Sequence, residues 1–172
     1  YLGFEEPKSF LAAMSWGNCG YAMPAAMGAK VGQPDRPAIA YVGDGAWGMS
    51  LTEVMTCVRE QIPVVAVVFE NQQWGAEQRN QLDFFDGRCV ATDLDNPSFA
   101  EIARAMGASG ISVGHADQVG DALQAAVASN IPTVLELHLT RDLSEPFRRD
   151  AFRPQPLRLL EKYQKLGEKP RG

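Results

Sequence analysis

Histidine is nearly missing from this sequence, which carries only His115 and His138 in 172 residues. Three cysteines, Cys19, Cys57 and Cys89, stand far apart, and no C-x-x-C occurs. Zinc sites draw their ligands from closely spaced Cys and His, so the composition argues against one. An odd number of scattered thiols supplies no disulfide framework and suits a reducing cytosol. No apolar run approaches the ~18 residues of a membrane-spanning helix. Basic residues are not in excess: 16 Lys and Arg against 21 Asp and Glu give a net charge of −5. Nucleic-acid binding therefore gains no support from charge, and an anionic ligand would have to be held locally against a mildly repulsive field. No internal repeat or low-complexity segment is present. The chain opens on Tyr1 rather than Met, which fits a fragment or a processed product and leaves an N-terminal signal open.

An apolar content of 45% over this length is enough for one domain with a full core. The pattern turns on one stretch, Gly43-Asp44-Gly45-Ala46-Trp47-Gly48. The apolar run from Pro37 to Val42 leads into it, and a helical pattern from about Ala46 to Gln61 follows, with Val54, Met55 and Val58 on its apolar side. A second apolar run, Pro63 to Phe69, ends at Glu70-Asn71. Strand, turn, helix and strand in this order make a parallel βαβ unit. Both strands of such a unit end on one edge of the sheet, so Asp44 and Asn71 are predicted to meet. A carboxylate, an amide oxygen and glycines at a helix entrance suit a hard cation holding a phosphate.

Two other readings fit the same stretch. Gly43, Gly45 and Gly48 satisfy G-x-G-x-x-G after a strand, the dinucleotide fingerprint, with Glu70 where a ribose-binding acid belongs. Against it, Asp44 inside the turn would repel a pyrophosphate unless a metal lay between them. The plainer alternative is a tight turn whose Asp caps a helix.

Gly43-Asp44-Gly45 followed at this distance by Asn71 resembles the cofactor motif of the thiamine diphosphate (ThDP)-dependent enzymes. The stretch from Gly17 to Ala29 resembles that family's cofactor-ring segment. Ser9 to Lys30, Gly43 to Glu60, Gln73 to Glu77 and Pro146 to Ala151 are similar to one branch of the family, the acetyltransferases that take sulfoacetaldehyde and phosphate to acetyl phosphate and sulfite. The resemblance implies a three-layer α/β fold, a parallel sheet with helices on both faces. It implies bound ThDP and Mg²⁺, with a small anionic aldehyde and phosphate as substrates. Asp44, Asn71 and the Gln73 carbonyl would be the metal ligands. Gly43, Gly45 and Ala46, with Trp74, Gly75 and Ala76, would meet the diphosphate. Gly17, Cys19, Gly20 and Tyr21 would line the ring, Gly17 through its carbonyl and Cys19 in place of a bulkier apolar support. Glu77 would serve in proton transfer. Glu70 departs from the family's usual Asn at that position and is expected to point away from the diphosphate. The implied alternatives are another ThDP lyase, acetolactate synthase-like or sulfopyruvate decarboxylase-like, and a non-catalytic ThDP-binding module.

In the family, the glutamate that activates the cofactor lies on a separate pyrimidine-binding domain, normally supplied by a neighbouring subunit. Only sixteen residues precede Gly17. The chain is therefore expected to be part of a longer polypeptide that forms a homodimer or higher oligomer, with exposed apolar surface from Cys19 to Met27 and at Trp74. Residues 1–140 are read as the diphosphate-binding domain with about five parallel strands. Residues 78 to 95 read as a loop or broken helix in which Arg79 and Arg88 are candidate anion contacts. Asn96-Pro97-Ser98 opens a helix to about Met106, and His138 in the last strand reads as structural. Residues 141–172 form an extension, with Arg148 and Arg149 as candidate oxyanion ligands and a short helix over Leu157 to Leu166.

Overall fold

The computed structural model describes residues 3, 4, 6–13 and 15–142. Residues up to Asp142 make one compact unit. Arg148, Arg149 and the expected helix from Leu157 to Leu166 lie outside the described residues. Among the described residues no helix is long and apolar enough to cross a membrane.

Among the described residues, four strands form one parallel sheet: β1 (Ala38–Gly43), β2 (Val64–Glu70), β3 (Ser109–Val113) and β4 (Thr133–His138), in the order β1-β2-β4-β3. The expected fifth strand is not among the described residues. β2 and β4 are the inner pair, and five successive residues of each, Val64–Val68 and Thr133–Leu137, are buried. A strand covered on both faces needs such a continuous apolar run rather than an alternating one.

Helices lie on both faces. α1 (Ala22–Gly32), α3 (Glu53–Arg59) and α5 (Phe99–Ala105) cover one face through Met23, Val54, Cys57, Phe99 and Ala103, against Ala40, Val42, Ala66 and Val68 of the sheet. α6 (Val119–Ser129) covers the other, where Val65, Val67, Leu135 and Leu137 collect. This is the three-layer α/β architecture that the sequence implies.

Local chemistry sets the element ends. Pro24 sits in the first turn of α1 and Lys30 in its last, each where a helix tolerates it or its dipole favours it. Ser98 Oγ accepts from Glu101 N at 3.2 Å at the start of α5, the Ser-x-x-Glu signature of a helix N-terminus. Asn130 ends α6 in the left-handed conformation (φ 51°). α5 packs so closely on β3 that a Cβ on Gly110 would lie 1.9 Å from the Ala100 carbonyl oxygen, so only glycine fits there.

The continuous helix expected from Ala46 to Gln61 is instead two. α2 (Asp44–Gly48) and α3 are separated by turns around Met49–Thr52. Ser50 N and Leu51 N both bond to Trp47 O at 2.9 Å, and Glu53 N bonds to Ser50 O at 3.0 Å. A helix interrupted after Gly48 loses little, because glycine disfavours helix interiors. The break lets Trp47 enter the core at 2% exposure while α3 takes its own angle against the sheet. The segment after β2 also resolves: α4 (Gly75–Phe84) is a regular helix, followed by irregular chain to residue 98.

Candidate functional site

β1 and β2 run in register, Val42 opposite Val68. Both valines belong to the same apolar face, so Asp44 and Glu70, each two residues further on, emerge on that face at the carboxyl edge of the sheet. Asp44 is 3% exposed and collects three N–H donors. Gly45 N donates to Oδ1 at 2.9 Å. Asn71 N and Asn96 Nδ2 donate to Oδ2 at 3.3 and 2.9 Å. The structure thus brings Asp44 and Asn71 together, as the spacing predicts.

Glu70 does not point away. It is buried, its Oε1 stands 3.5 Å from Asn96 Nδ2, and its Oε2 meets His138 Nδ1 at 3.1 Å. The period of two in β2 puts Glu70 on the face of Val68, the face on which Asp44 emerges. His138 reaches Ser112 Oγ at 2.7 Å with its other nitrogen, so the ring ties the edges of β2, β4 and β3 together.

After β2 the chain turns through Gln72, which is left-handed at φ 56°. Gln73 then pairs with Asp93 in an antiparallel bridge. The flanking bonds, Trp74 N to Thr92 O and Leu94 N to Gln72 O, make this a non-hydrogen-bonded pair, so the Gln73 carbonyl is not spent on that pairing. The Gln73 side chain is buried and donates to the Arg141 carbonyl at 3.0 Å. Arg141 also pairs with Asp93. The Trp74 indole lies over Gly45, where a Cβ would sit 2.8 Å from the ring. That contact requires glycine at position 45. Gly75 and Ala76 open α4, and Glu77 is exposed in its first turn.

Gly17 and Gly20 both take positive φ, 59° and 81°, a conformation open to glycine at no steric cost. A Cβ on Gly20 would stand 3.2 Å from Met49 Cβ, which places the ring segment beside the turn between α2 and α3. Cys19 and Tyr21 are exposed there, with Trp16 at 91% and Met49 at 62% exposure. The expected apolar exposure covers only part of its range: Met23 and Ala26 are in the core, and Trp74 is half-buried. Arg79 pairs with Asp83 at 2.9 Å, and Arg88 donates to Phe85 O at 3.2 Å, so both candidate anion contacts are engaged within their own segment. Cys57 is fully buried and faces the core rather than a ligand. Burial, with a smaller contribution from the Glu53 charge, pushes its thiol up to about 11, which keeps it neutral and inert.

Two groups escaped the sequence reading. Asn96 reads as a helix opener, yet its amide is a partner of Asp44, 52 positions away. Glu136 reads as an ordinary strand residue, yet its carboxylate is 1% exposed and anchors α5. Ser98 Oγ, Phe99 N and Ala100 N donate to it at 2.9, 2.9 and 3.3 Å. Its one sequence signal is a charge among apolar neighbours in a strand expected to be wholly buried, which demands a partner.

A parallel sheet carrying a buried Asp, strand-end amides and a helix entrance at its carboxyl edge defines an α/β protein of the diphosphate-binding type. Residues 1–137 match the family described as "Thiamine pyrophosphate enzyme, C-terminal TPP binding domain", and the chain belongs to that family. It is 59% identical over 167 residues to the sulfoacetaldehyde acetyltransferase of Castellaniella defragrans, covering 95% of this chain and 28% of that protein. It is 33% identical over 137 residues to the acetolactate synthase large subunit of Parasynechococcus marenigrum, covering 78% of this chain and 22% of that one. The thiamine diphosphate-dependent 4-hydroxybenzoylformate decarboxylase of Rhodococcus jostii RHA1 shares the fold. It has a TM-score of 0.69 and 29% identity, over 73% of this chain and 24% of that one. The chain thus spans between about a fifth and little more than a quarter of the curated relatives it matches.

The donor set fits a magnesium diphosphate. Asp44 offers its carboxylate, whose surrounding groups are N–H donors, and the Gln73 carbonyl is left out of its bridge; among the described residues no three His, Cys, Asp or Glu side chains group as a metal site. A cation here would need ligand and water oxygens to complete its shell, as Mg²⁺ beside a phosphate commonly has. Thr92, whose carbonyl receives Trp74 N, keeps a buried hydroxyl without a partner among the described residues.

Proposed function

We propose that this chain is the cofactor-binding part of a ThDP- and Mg²⁺-dependent acetyltransferase that converts sulfoacetaldehyde and phosphate to acetyl phosphate and sulfite. The observation that carries the cofactor assignment is the buried Asp44 carboxylate, linked across neighbouring strand ends to Asn71. The substrate assignment is drawn from the sulfoacetaldehyde acetyltransferases that the chain matches over nearly its whole length. Asp44, Asn71 and the Gln73 carbonyl hold the metal. Gly43, Gly45, Ala46 and the amides of Trp74, Gly75 and Ala76 receive the diphosphate at the start of α4, where the helix dipole favours negative charge. Gly17, Cys19, Gly20 and Tyr21 line the ring. When bound, the cofactor supplies the nucleophilic carbon that makes cleavage of the aldehyde possible. A pyrimidine-binding domain of a neighbouring subunit completes the site, and the exposed Trp16, Tyr21 and Met49 beside the ring segment support contact there.

The test is incubation of the intact protein with sulfoacetaldehyde, phosphate, ThDP and Mg²⁺. Stoichiometric sulfite and acetyl phosphate are expected. Turnover of a 2-oxo acid with no sulfite would replace this reading with the acetolactate synthase-like or decarboxylase-like alternative. Residues 1–172 alone are expected to release no sulfite under the same conditions; turnover near that of the intact protein would show that no second domain is needed.

Glu77, exposed in the first turn of α4, is assigned to proton transfer. Glu77→Gln keeps the size and removes the titrating group. Turnover is expected to fall about 100-fold, with loss of one limb of the pH–rate profile. A wild-type rate and profile would remove Glu77 from the mechanism and leave it a favourable charge at a helix start.

A further inference from the structure

The three donors around Asp44 are unequally shared. Oδ2 accepts from Asn96 Nδ2 at 2.9 Å and from Asn71 N at 3.3 Å. Oδ1 accepts only from Gly45 N, at 2.9 Å. A carboxylate has about four lone-pair sites, two on each oxygen. Oδ2 is therefore saturated, and Oδ1 keeps one free direction.

The orientation of the Asn96 amide follows from its neighbours. Its Nδ2 stands between two carboxylates, 2.9 Å from Asp44 Oδ2 and 3.5 Å from Glu70 Oε1. Only the NH₂ end can face two acceptors, because the carbonyl end would be repelled by both. The amide is also fixed from behind. Two residues on, Ser98 is held through Oγ by the buried Glu136 carboxylate, which takes Phe99 N and Ala100 N as well. On the other side, Glu70 is only 6% exposed and is held by His138 Nδ1 at 3.1 Å. Asn96 thus hangs between two anchored carboxylates and presses its N–H on one chosen oxygen of Asp44.

We infer that Asn96 is a positioning residue that makes Asp44 a one-oxygen cation ligand and so sets a preference for Mg²⁺ over Ca²⁺ at this site. The inference rests on the metal reading proposed above and adds to it the origin of the ion selectivity. Mg²⁺ takes near-octahedral oxygen ligands at short distance, whereas Ca²⁺ takes more ligands and readily accepts a carboxylate through both oxygens. With Oδ2 occupied by Asn96 and the Asn71 amide, the two-oxygen mode is closed. Loss of the Asn96 NH₂ opens Oδ2 and lets the carboxylate rotate. That helps the larger ion and costs the smaller one its fixed ligand.

The experiment titrates Mg²⁺ and Ca²⁺ separately into the intact protein with ThDP present, by calorimetry, for the unsubstituted protein, Asn96→Ala and the near-isosteric, uncharged Asn96→Leu. Both variants remove the donor, and the second keeps the side chain's shape. The ratio of Mg²⁺ to Ca²⁺ affinity is expected to fall about tenfold or more in each. A general loss of local structure would weaken both ions alike and leave the ratio where it was. An unchanged ratio therefore overturns the role of Asn96 while leaving the metal site standing. If near-ultraviolet circular dichroism shows that Asn96→Ala does not fold, the shape-preserving variant decides by the same ratio. Absence of any metal-dependent ThDP binding in the unsubstituted protein overturns the metal reading and the Asn96 proposal together.

Discussion

Replacing Asp44 by Ala or Asn is expected to abolish magnesium-dependent retention of ThDP, lowering its affinity at least ~100-fold. The carboxylate is nearly fully buried, and a buried charge is tolerated only when its neighbours compensate it. Three N–H groups donate to it here, from Gly45, Asn71 and Asn96. The protein thus holds the Asp44 carboxylate at the carboxyl edge of its sheet, beside a helix start suited to phosphate. Neither feature alone retains a diphosphate: the carboxylate repels it, and the helix start holds it weakly in water. On the proposed reading, a divalent cation would join the two. Asp44→Asn keeps the side chain's shape and removes the charge, so it separates loss of the metal ligand from loss of packing. Calorimetric titration of ThDP into the intact variant, with Mg²⁺ in excess, is the measurement. Unchanged affinity would refute the metal assignment.

Glu136→Ala is expected to destabilise the folded chain by ~3–5 kcal/mol, the largest stability effect foreseen for any single side chain here. Glu136 lies in β4, between β2 and β3 in the sheet, with Leu135 and Leu137 as chain neighbours on the opposite face. Its carboxylate is held by Ser98 Oγ, Phe99 N and Ala100 N. Truncation leaves two backbone amides at the start of α5 without a partner in a region closed to water, and it opens a cavity behind them. Glu136→Gln is milder, about 1–3 kcal/mol, because one oxygen remains to accept while the amide NH₂ meets donors it cannot satisfy. Urea unfolding followed by circular dichroism measures both. A loss below ~1 kcal/mol for the alanine variant would mean that α5 is held by its apolar face alone, through Phe99, Ala100 and Ala103.

The chain's local chemistry is plainly written in the sequence. Continuous valine-rich runs specify buried parallel strands, as β2 shows. Gly43-Asp44-Gly45 at one strand end and Asn71 at the next specify that the two residues will meet; the contact that forms is from the Asn71 backbone N–H to Asp44 Oδ2, at 3.3 Å. Positive φ at Gly17 and Gly20 is likewise a local demand that glycine answers. The missed break at Met49–Thr52 shows where local reading stops. The apolar spacing from Ala46 to Gln61 suits one helix, but burying Trp47 and Val54 against the same sheet suits two.

What the tertiary structure alone decided is who surrounds Asp44. Asn96 and Glu136 carry no motif, and each acts on residues many positions away. Their meeting depends on the strand order β1-β2-β4-β3, which inserts the last strand between the second and third. That insertion sets β4 where its buried Glu136 can seize the start of α5, and so brings Asn96 to the edge of β1 and β2. Glu70 shows the same division. Its alternation along β2 is local, but that its face is the one carrying Asp44 follows from the pairing of Val42 with Val68. Periodicity records which way a side chain points relative to its own strand. Only packing fixes which other strand or helix stands on that side, because that choice is made by the burial of the whole apolar surface rather than by any one segment.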